Sequence, residues 1–231
     1  MPPGKRPPIS RRDRPTKPAL TRQGIVEAAL SLLRAEGLER VTMRRLAQEL
    51  DTGAASLYVY VRNTAELHAL ILDELLGDVD LAPVSAAGEW RERLVAVLWS
   101  YTAVLVDHSG LAQSALVTRP SGPGYLHLVE GVLALLSEGG VAPGRAAWAV
   151  DLLLHFATST ATEQGIRSRA IDADDEEDRA AAALLGLSPE TFPHIVALNA
   201  VLLSVEGAER LTWGFHVLIN GVLETPRPES S

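Results

Sequence analysis

The sequence predicts an all-α fold in which a small three-helix module precedes a larger helical bundle. Apolar residues recur with the 3.6-residue period of helices in one segment after another, and no segment shows the alternation typical of strands. Glycine and proline mark the loops between these segments. A chain of 231 residues, of which 47% are apolar, is long enough to bury a substantial core.

The first two helices are each marked by a capping threonine. Thr21 precedes a helical apolar pattern that stops at Gly37, and Thr42 precedes a second pattern that stops at Leu50. Threonine is a favoured N-cap because its hydroxyl oxygen accepts a backbone N–H that the helix leaves unpaired. We therefore expect two short helices, separated by a brief loop.

A turn over residues 51–53 and a brief third helix over residues 54–61 follow. Leu57 and Val61 lie four positions apart and are expected to pack inward, which leaves the other side chains facing outward. Two short helices across a tight turn are typical of a helix-turn-helix, whose second helix enters the major groove of DNA.

The rest of the chain is predicted to be a bundle of longer helices. Asn63 and Glu66 resemble a capping box that opens a fourth helix toward Gly77. An acidic segment, residues 172–178, is expected to be a solvated loop or the start of a helix. Further helices are predicted over Glu89–Asp107, Leu111–Val117, Tyr125–Glu138, Pro143 to about Ser168, and Glu206–Leu223 after a cap at Ser204.

Charge is distributed unequally along the chain. Residues 1–64 contain 12 Lys and Arg against 6 Asp and Glu, a balance of +6, whereas residues 65–231 contain 9 against 23, a balance of −14. Six of the basic residues fall within residues 1–20, which are proline-rich and predicted to be a disordered basic arm. A basic first module on an acidic remainder indicates that the first module meets a polyanion.

Side chains suited to DNA converge on the predicted helix-turn-helix. The hydroxyls of Ser56 and Tyr58 can donate to phosphate, Tyr60 can also reach a base edge, and Arg44 can reach phosphate or guanine. The full predicted DNA-binding set is Thr42, Arg44, Ala54, Ala55, Ser56, Tyr58, Val59, Tyr60 and Thr64.

The residues VTMRRLAQEL at 41–50 and SLYVYVRN at 56–63 resemble the TetR family of bacterial transcriptional regulators. The resemblance continues into the tetracycline-repressor branch through Trp90, the Thr-Arg-Pro tripeptide at 118–120, and His155 with Phe156, and covers about residues 21–225. Two positions depart from the family pattern. Asp51 replaces the usual turn glycine, and Thr64 replaces a common phosphate-binding lysine.

The composition predicts a basic arm (1–20). The resemblance, which covers about residues 21–225, implies a DNA-binding head (21–64) and a ligand-binding and dimerisation body (65–225), and a tail (226–231) follows. The implied function is a ligand-responsive regulator, most often a repressor, that binds a palindromic operator as a homodimer and is released by a small molecule. We expect the dimer to form through the last helix and a helix near residues 146–163, with Gly214 and Gly221 allowing close approach.

An effector pocket between helices is predicted to be mostly apolar with a few polar groups. Candidates are Trp99, Tyr101, Thr118, Arg119, Trp148, His155, Thr162 and Glu163. Tetracycline-binding members of the family hold a magnesium-chelated drug through an imidazole, an amide and a glutamine, and alignment on Trp90 and residues 118–120 places these groups at Ala115, Val97 and Gly131. None of the three side chains can coordinate a cation. We therefore expect no metal and no cofactor, and a largely apolar, aromatic or polyketide-like effector.

Several classes of protein are disfavoured. The chain has no cysteine, its six histidines form no HExxH pair, and it contains no GxSxG or phosphate-binding loop, so an enzyme is not expected. Apolar runs such as Leu94–Trp99 are far shorter than the ~18 residues of a membrane span, and the basic N-terminus lacks the apolar stretch of a signal peptide. We expect a cytoplasmic protein. The alternatives are an all-helical enzyme or small-molecule carrier with a vestigial head, and a constitutive DNA-binding protein.

Overall fold

The computed structural model describes residues 19–117, 121–168, 179, 181–203 and 207–228. The helices, numbered here in chain order, are α1 Arg22–Glu36, α2 Met43–Glu49, α3 Ala54–Leu57, α4 Thr64–Leu75, α5 Trp90–Asp107, α6 Ser109–Val117, α7 Pro123–Glu138, α8 Pro143–Arg167, α9 Pro193–Leu203 and α10 Gly207–Glu224. Short 3₁₀ turns and a helical stretch at 181–185 complete the regular structure, and the described residues contain no strand. The predicted all-α class is confirmed.

Four predicted features lie outside the described residues. They are most of the basic arm, the candidate ligand contacts Thr118 and Arg119, the acidic segment 172–178 and the Ser204 cap.

Side-chain caps begin the helices of the N-terminal part, as the sequence predicts. The hydroxyl oxygens of Thr21 and Thr42 accept the backbone N–H three residues further on, at 3.0 and 3.1 Å, and the Asn63 side chain does the same for α4 at 2.8 Å. α1 ends at Glu36 and is followed by the C-cap Gly37, which has a φ of 83°. These local interactions explain why the sequence gives the bounds of α1, α2 and the start of α4.

The turn between α2 and α3 places a non-glycine residue in the left-handed region. Asp51 has a φ of 46°. Its N–H donates to Gln48 O at 3.1 Å, and the N–H of Thr52 donates to Ala47 O at 2.9 Å, the two bonds of a Schellman C-cap. The turn therefore has the left-handed backbone conformation that usually requires glycine. Aspartate adopts this conformation more readily than most other residues.

The third helix is shorter than predicted. α3 ends at Leu57, and the chain continues as a turn in which the N–H groups of Tyr60 and Val61 both donate to Leu57 O. Aromatic and β-branched residues, which are weak helix formers, occupy residues 58–61. Leu57 and Val61 are nevertheless fully buried, so the predicted inward anchors are confirmed.

α9 was not predicted from the sequence. Its apolar residues are distributed around the whole helix, so it lacks the polar face that gives a periodic pattern. None of its residues is buried within the chain, and Leu198, Val201 and Leu202 are more than half exposed.

The body is organised around α8, which contacts α5, α6, α7 and α10. The rings of Phe156 in α8 and Phe215 in α10 meet edge to face, with centroids 5.5 Å apart. A Cβ atom on Gly214 would lie 2.5 Å from the Phe156 ring. Gly214 therefore makes room for Phe156 of its own chain, and the expected role of Gly214 and Gly221 at a dimer interface stays a prediction.

α4 connects the first three helices to the body. It packs against α1 on one side and against α6 and α7 on the other. Leu67, Ile71, Leu72 and Leu75 are all buried. The carboxylate of Asp73 also accepts the N–H of Tyr125, in the first turn of α7, at 2.9 Å.

Among the residues that the structure describes, no single helix is both long and apolar enough to cross a membrane. α5 and α6 have that length and apolar character only together, and they are bent by 110° relative to each other.

We predict that the residue at position 51 controls the stability of the α2–α3 turn. Replacing Asp51 with valine should lower the free energy of unfolding by about 1–2 kcal/mol, because a β-branched residue is strained at positive φ, whereas Asp51→Gly should cause no such loss. Denaturant unfolding of both variants measures the difference. Equal stability of the valine and glycine variants would contradict the prediction.

Candidate DNA-binding interface and effector cavity

The exposed side chains after α3 form the centre of the candidate DNA-binding surface. Tyr58, Val59 and Tyr60 are 52%, 80% and 38% exposed, although Leu57 and Val61 on either side of them are fully buried. The two anchors fix the backbone while three large side chains project into solvent. The remaining predicted DNA contacts are also exposed, except half-buried Ala54, and comprise Thr42, Arg44, Ala55, Ser56 and Thr64.

Neighbouring arginines in α2 differ in their surroundings. Arg45 contacts Glu36 of α1 at 2.5 Å and Glu49 at 2.9 Å. Both hydrogen bonds raise the pKa of Arg45, and the bond to Glu36 has the larger effect. The same bond lowers the pKa of Glu36. Arg44 is exposed and forms no ion pair with any residue that the structure describes. Arg45 therefore joins α1 to α2, while Arg44 is available for DNA.

Glu66 joins the loop after α3 to both α1 and α4. Its Oε2 atom accepts the backbone N–H of Arg62 at 2.7 Å and the Arg62 Nε at 3.1 Å, and its Oε1 atom accepts Arg22 Nη2 at 3.2 Å. The capping-box prediction is thus altered, because the carboxylate reaches the N–H of Arg62 and not that of Asn63. The backbone hydrogen bond from Arg62 is the main cause of a lowered Glu66 pKa.

A buried cluster of hydroxyl groups lies between α5 and α8. The hydroxyls of Tyr101 and Thr158 are 2.7 Å apart, and Thr158 donates its proton to Leu154 O at 2.7 Å. Because Thr158 has only one hydroxyl proton, Tyr101 is the donor in the contact between the two hydroxyls. Burial raises the pKa of Tyr101 to about 12, so its phenol is neutral.

Four other predicted pocket residues lie on α5, α6, α7 and α8. Val97, one turn before Tyr101, is fully buried, and the Thr162 hydroxyl donates to the Thr158 carbonyl at 2.8 Å. Gly131 of α7 is buried and a Cβ atom there would lie 3.0 Å from a Val84 methyl group. Ala115 of α6 is half-buried.

Four predicted contacts lie on other faces of α5 and α8. Trp148 is 57% exposed with Arg227 over its ring, and His155 and Glu163 are also exposed. These three side chains occupy the outer face of α8 in the single chain, and their expected contact with a ligand stays a prediction.

Trp99 is likewise not directed toward the hydroxyl cluster. Its indole N–H donates to the hydroxyl of Thr212 in α10 at 2.9 Å. It lies two residues from Val97 and from Tyr101, which places it on a different face of α5. Trp99 therefore joins α5 to α10, and its expected contact with a ligand stays a prediction.

Two contacts were not predicted from the sequence: that of Thr158 in the hydroxyl cluster of the body, and that of Glu66 with Arg22 in the candidate DNA-binding region. Thr158 lies one turn before the predicted Thr162, and this spacing is a signal for a shared helix face. Glu66 lies four residues after Arg62, a spacing that indicates an ion pair, but its contact with Arg22 spans 44 residues and has no local signal. Across the described ranges, no three His, Asp or Glu side chains lie close enough to hold a metal ion.

Two family models match the chain. The model described as "Bacterial regulatory proteins, tetR family" matches residues 25–70, and the model described as "Tetracyclin repressor-like, C-terminal domain" matches residues 82–225. The matched proteins are transcriptional regulators and not enzymes, which confirms the prediction of a regulator.

Individual relatives agree with the family models. The transcriptional repressor DrrR1 of Streptomyces coeruleorubidus is 34% identical over 67% of this chain. The chain spans 57% of the length of DrrR1 and 52% of that of a regulator from Saccharopolyspora erythraea. Two solved structures from Streptomyces coelicolor cover more of the chain. The transcription regulator SCO7704 is 52% identical, with a TM-score of 0.79 over 93% of this chain and 100% of its own.

The second solved structure is the TetR family protein ActR in complex with actinorhodin. It is 36% identical, with a TM-score of 0.79 over 89% of this chain and 96% of its own. The two family models together account for most of the helical part of the chain. The chain therefore belongs to the TetR family of bacterial transcriptional regulators.

Proposed function

We propose that this protein is a cytoplasmic, ligand-responsive transcriptional repressor. It binds a palindromic operator as a homodimer and is released by a small, largely apolar effector. The observation that carries the proposal is the exposed segment Tyr58–Tyr60, which is fixed by buried Leu57 and Val61 in the head and is joined through α4 to a body with a buried hydroxyl cluster. The head corresponds to residues 21–64 and the body to residues 65–225.

Different side chains of the head are proposed to contact phosphate and base. Tyr58 presents a hydroxyl that can donate to phosphate without reading sequence. Ala55 and Tyr60 are both exposed and are assigned to base edges in the major groove. The hydroxyls of Thr42 and Thr64 stand at the starts of α2 and α4, where they can add phosphate contacts.

A homodimer is supported by the exposed apolar faces of α8 and α10. Trp148, Leu152 and Ile166 on α8 and Trp213 and Val217 on α10 are all between 45% and 67% exposed. Apolar surface of this extent on two helices that pack side by side favours burial against a second copy. The resulting four-helix interface is two-fold symmetric, so the operator is expected to be palindromic.

An apolar effector is supported by the residues that surround the interior of the body. Val97, Ala115 and Gly131 offer no side-chain ligand for a cation, and burying a hydrated dication without ligands is costly. Tyr101 and Thr162 add a small number of hydroxyl groups to this interior. The related ActR was solved with actinorhodin. We therefore propose an aromatic or polyketide-like molecule as the effector.

Release from DNA is proposed to act through α4. This helix contacts α6 and α7, which supply Ala115 and Gly131, and it also contacts α1 of the head. A ligand that binds one arrangement of α6 and α7 better than the other shifts the position of α4 and thereby the separation of two heads in a dimer.

A gel-shift assay tests the function. The full chain is mixed with the DNA upstream of its own gene and with an unrelated duplex, with and without extracts containing aromatic small molecules. Sequence preference together with release by a ligand supports the proposal. Binding without preference or release would indicate a constitutive DNA-binding protein, and absence of binding would indicate a carrier or enzyme.

We predict that Tyr58→Phe weakens binding to specific and random duplexes by a similar factor, because it removes one phosphate hydrogen bond. Substitutions at Ala55 or Tyr60 should change the preferred sequence, because these two side chains are assigned to base edges. A mismatched base pair typically costs about 1–3 kcal/mol of binding free energy. Competition assays with single-base operator variants measure both effects. Unchanged affinity for Tyr58→Phe together with unchanged preference for the other variants would contradict this assignment.

We predict that a charge within the proposed dimer face separates the subunits. Trp213→Glu should convert a species of about twice the 24.7 kDa chain mass to a monomer at micromolar concentration, because the carboxylate would be buried without a partner. Light scattering measures the mass. Leu126→Glu, at a similarly exposed position on α7, is the control and should remain dimeric. A wild-type monomer would remove the proposed interface.

We predict that actinorhodin binds this protein and that magnesium-tetracycline does not. Val97, Ala115 and Gly131 supply no cation ligand, whereas Tyr101 and Thr162 supply hydroxyl groups among apolar neighbours, so only the first probe meets matching chemistry. Titration calorimetry with each probe measures binding. Tight, magnesium-dependent tetracycline binding that releases DNA would contradict the proposed apolar character of the effector site.

A further inference from the structure

Two arginines of the head share one carboxylate next to the proposed DNA-binding surface. Glu66 contacts Arg22 of α1 and Arg62 of the loop before α4, at 3.2 and 3.1 Å. The side chain of Glu66 is only 20% exposed, whereas those of Arg22 and Arg62 are 56% and 86% exposed. The carboxylate is thus held in place, and both guanidinium groups extend from it into solvent.

This cluster of two arginines and Glu66 lies beside the surface that we propose to bind DNA. Arg62 lies two residues after Tyr60, at the end of the exposed segment assigned to DNA. Arg22 begins α1, directly after the basic arm, so the arm joins the head beside the same carboxylate. Arg22 and Arg62 also line a cleft of about 490 Å³ between the head and the start of α7.

We propose that Arg22 and Arg62 form a second phosphate-binding patch of the head and that Glu66 limits its use. This inference rests on the proposed function, because it assumes that the head binds duplex DNA. The occupant of the patch is the phosphate backbone flanking the bases that residues 55–60 contact.

Glu66 opposes DNA binding in two ways. It neutralises two guanidinium groups that would otherwise meet phosphate, and its own negative charge repels the backbone. Ion pairs between exposed side chains are weak, and duplex DNA carries one negative charge for about every 1.7 Å of its axis, so phosphate competes effectively for the same arginines. The carboxylate therefore acts as an internal competitor that lowers affinity for all sequences equally.

The experiment uses the full chain and a labelled random-sequence duplex, with affinity measured by fluorescence anisotropy over a series of salt concentrations. Glu66→Gln should bind more tightly, on the order of threefold or more at low salt, and the slope of log affinity against log salt should steepen by about 0.9 for each arginine released. A glutamine keeps a carbonyl oxygen for the Arg62 N–H, so the start of α4 is retained.

Glu27→Gln is the matched control. Glu27 is an exposed carboxylate of α1 that pairs with none of the described basic residues, and its substitution changes the net charge of the chain by the same amount. We expect Glu27→Gln to change the salt slope much less than Glu66→Gln does. Equal effects of the two substitutions would overturn the inference, because general charge would then explain the gain.

A second set of variants tests the arginines directly. The double substitution Arg22→Gln with Arg62→Gln should weaken binding by the Glu66→Gln variant more than it weakens binding by the wild type, and it should abolish the gain in affinity caused by Glu66→Gln. If the double substitution weakens the wild type as strongly as it weakens the Glu66→Gln variant, the arginines contact phosphate despite Glu66 and the inference is wrong. If the wild type binds no DNA at all, the proposed function fails as well, which distinguishes the two failures.

Discussion

The apolar face of α4 is the constraint on which the other parts of the structure depend. Leu67, Ile71, Leu72 and Leu75 are buried on a helix that packs against α1 of the head and against α6 and α7 of the body. The same twelve-residue helix therefore joins the buried residues of the head to those of the body in one continuous core. A displacement of α4 relative to either side exposes apolar surface, at a cost of about 25 cal/mol for each Å², so the head, α4 and the body move together. This coupling gives the proposed effector a physical route from the body to the proposed DNA-binding surface.

Polar contacts fix α4 at both ends, and they use different chemistry. At the head, the Glu66 carboxylate binds two arginines and the N–H of Arg62. At the body, the Asp73 carboxylate accepts the N–H of Tyr125 in the first turn of α7, where the unpaired N–H groups of a helix favour a negative charge. A Cβ atom on Gly124 would lie 2.1 Å from the Asp73 carbonyl oxygen, so the glycine is what permits this close approach. The head contact is exposed and salt-sensitive, whereas the body contact is part-buried, which makes the head end the easier of the two to alter by binding DNA.

Much of the fold follows from local sequence signals, and the exceptions have identifiable physical reasons. Caps such as Thr21, Thr42 and Asn63 act within three residues, so the sequence predicts the starts of α1, α2 and α4 correctly. α9 escapes prediction because a helix that is apolar all round has no periodic pattern. The outward placement of Trp148, His155 and Glu163 is not predictable from α8 alone, since both faces of that helix carry apolar and polar residues and only its packing partners determine which face is interior. Contacts between distant residues, such as Arg22 with Glu66 and Tyr101 with Thr158, have no signal in either local segment.

In the proposed dimer, a rigid connection through α4 holds two identical heads at one fixed separation. Selection of bound duplexes from a random-sequence pool measures this separation, because the enriched sequences report both which bases each head contacts and how far apart the heads are. We expect an inverted repeat whose half-site centres are separated by a single distance of about one helical turn or a multiple of it. Enrichment of isolated half-sites, of inverted repeats with several different spacings, or of no sequence at all would contradict it.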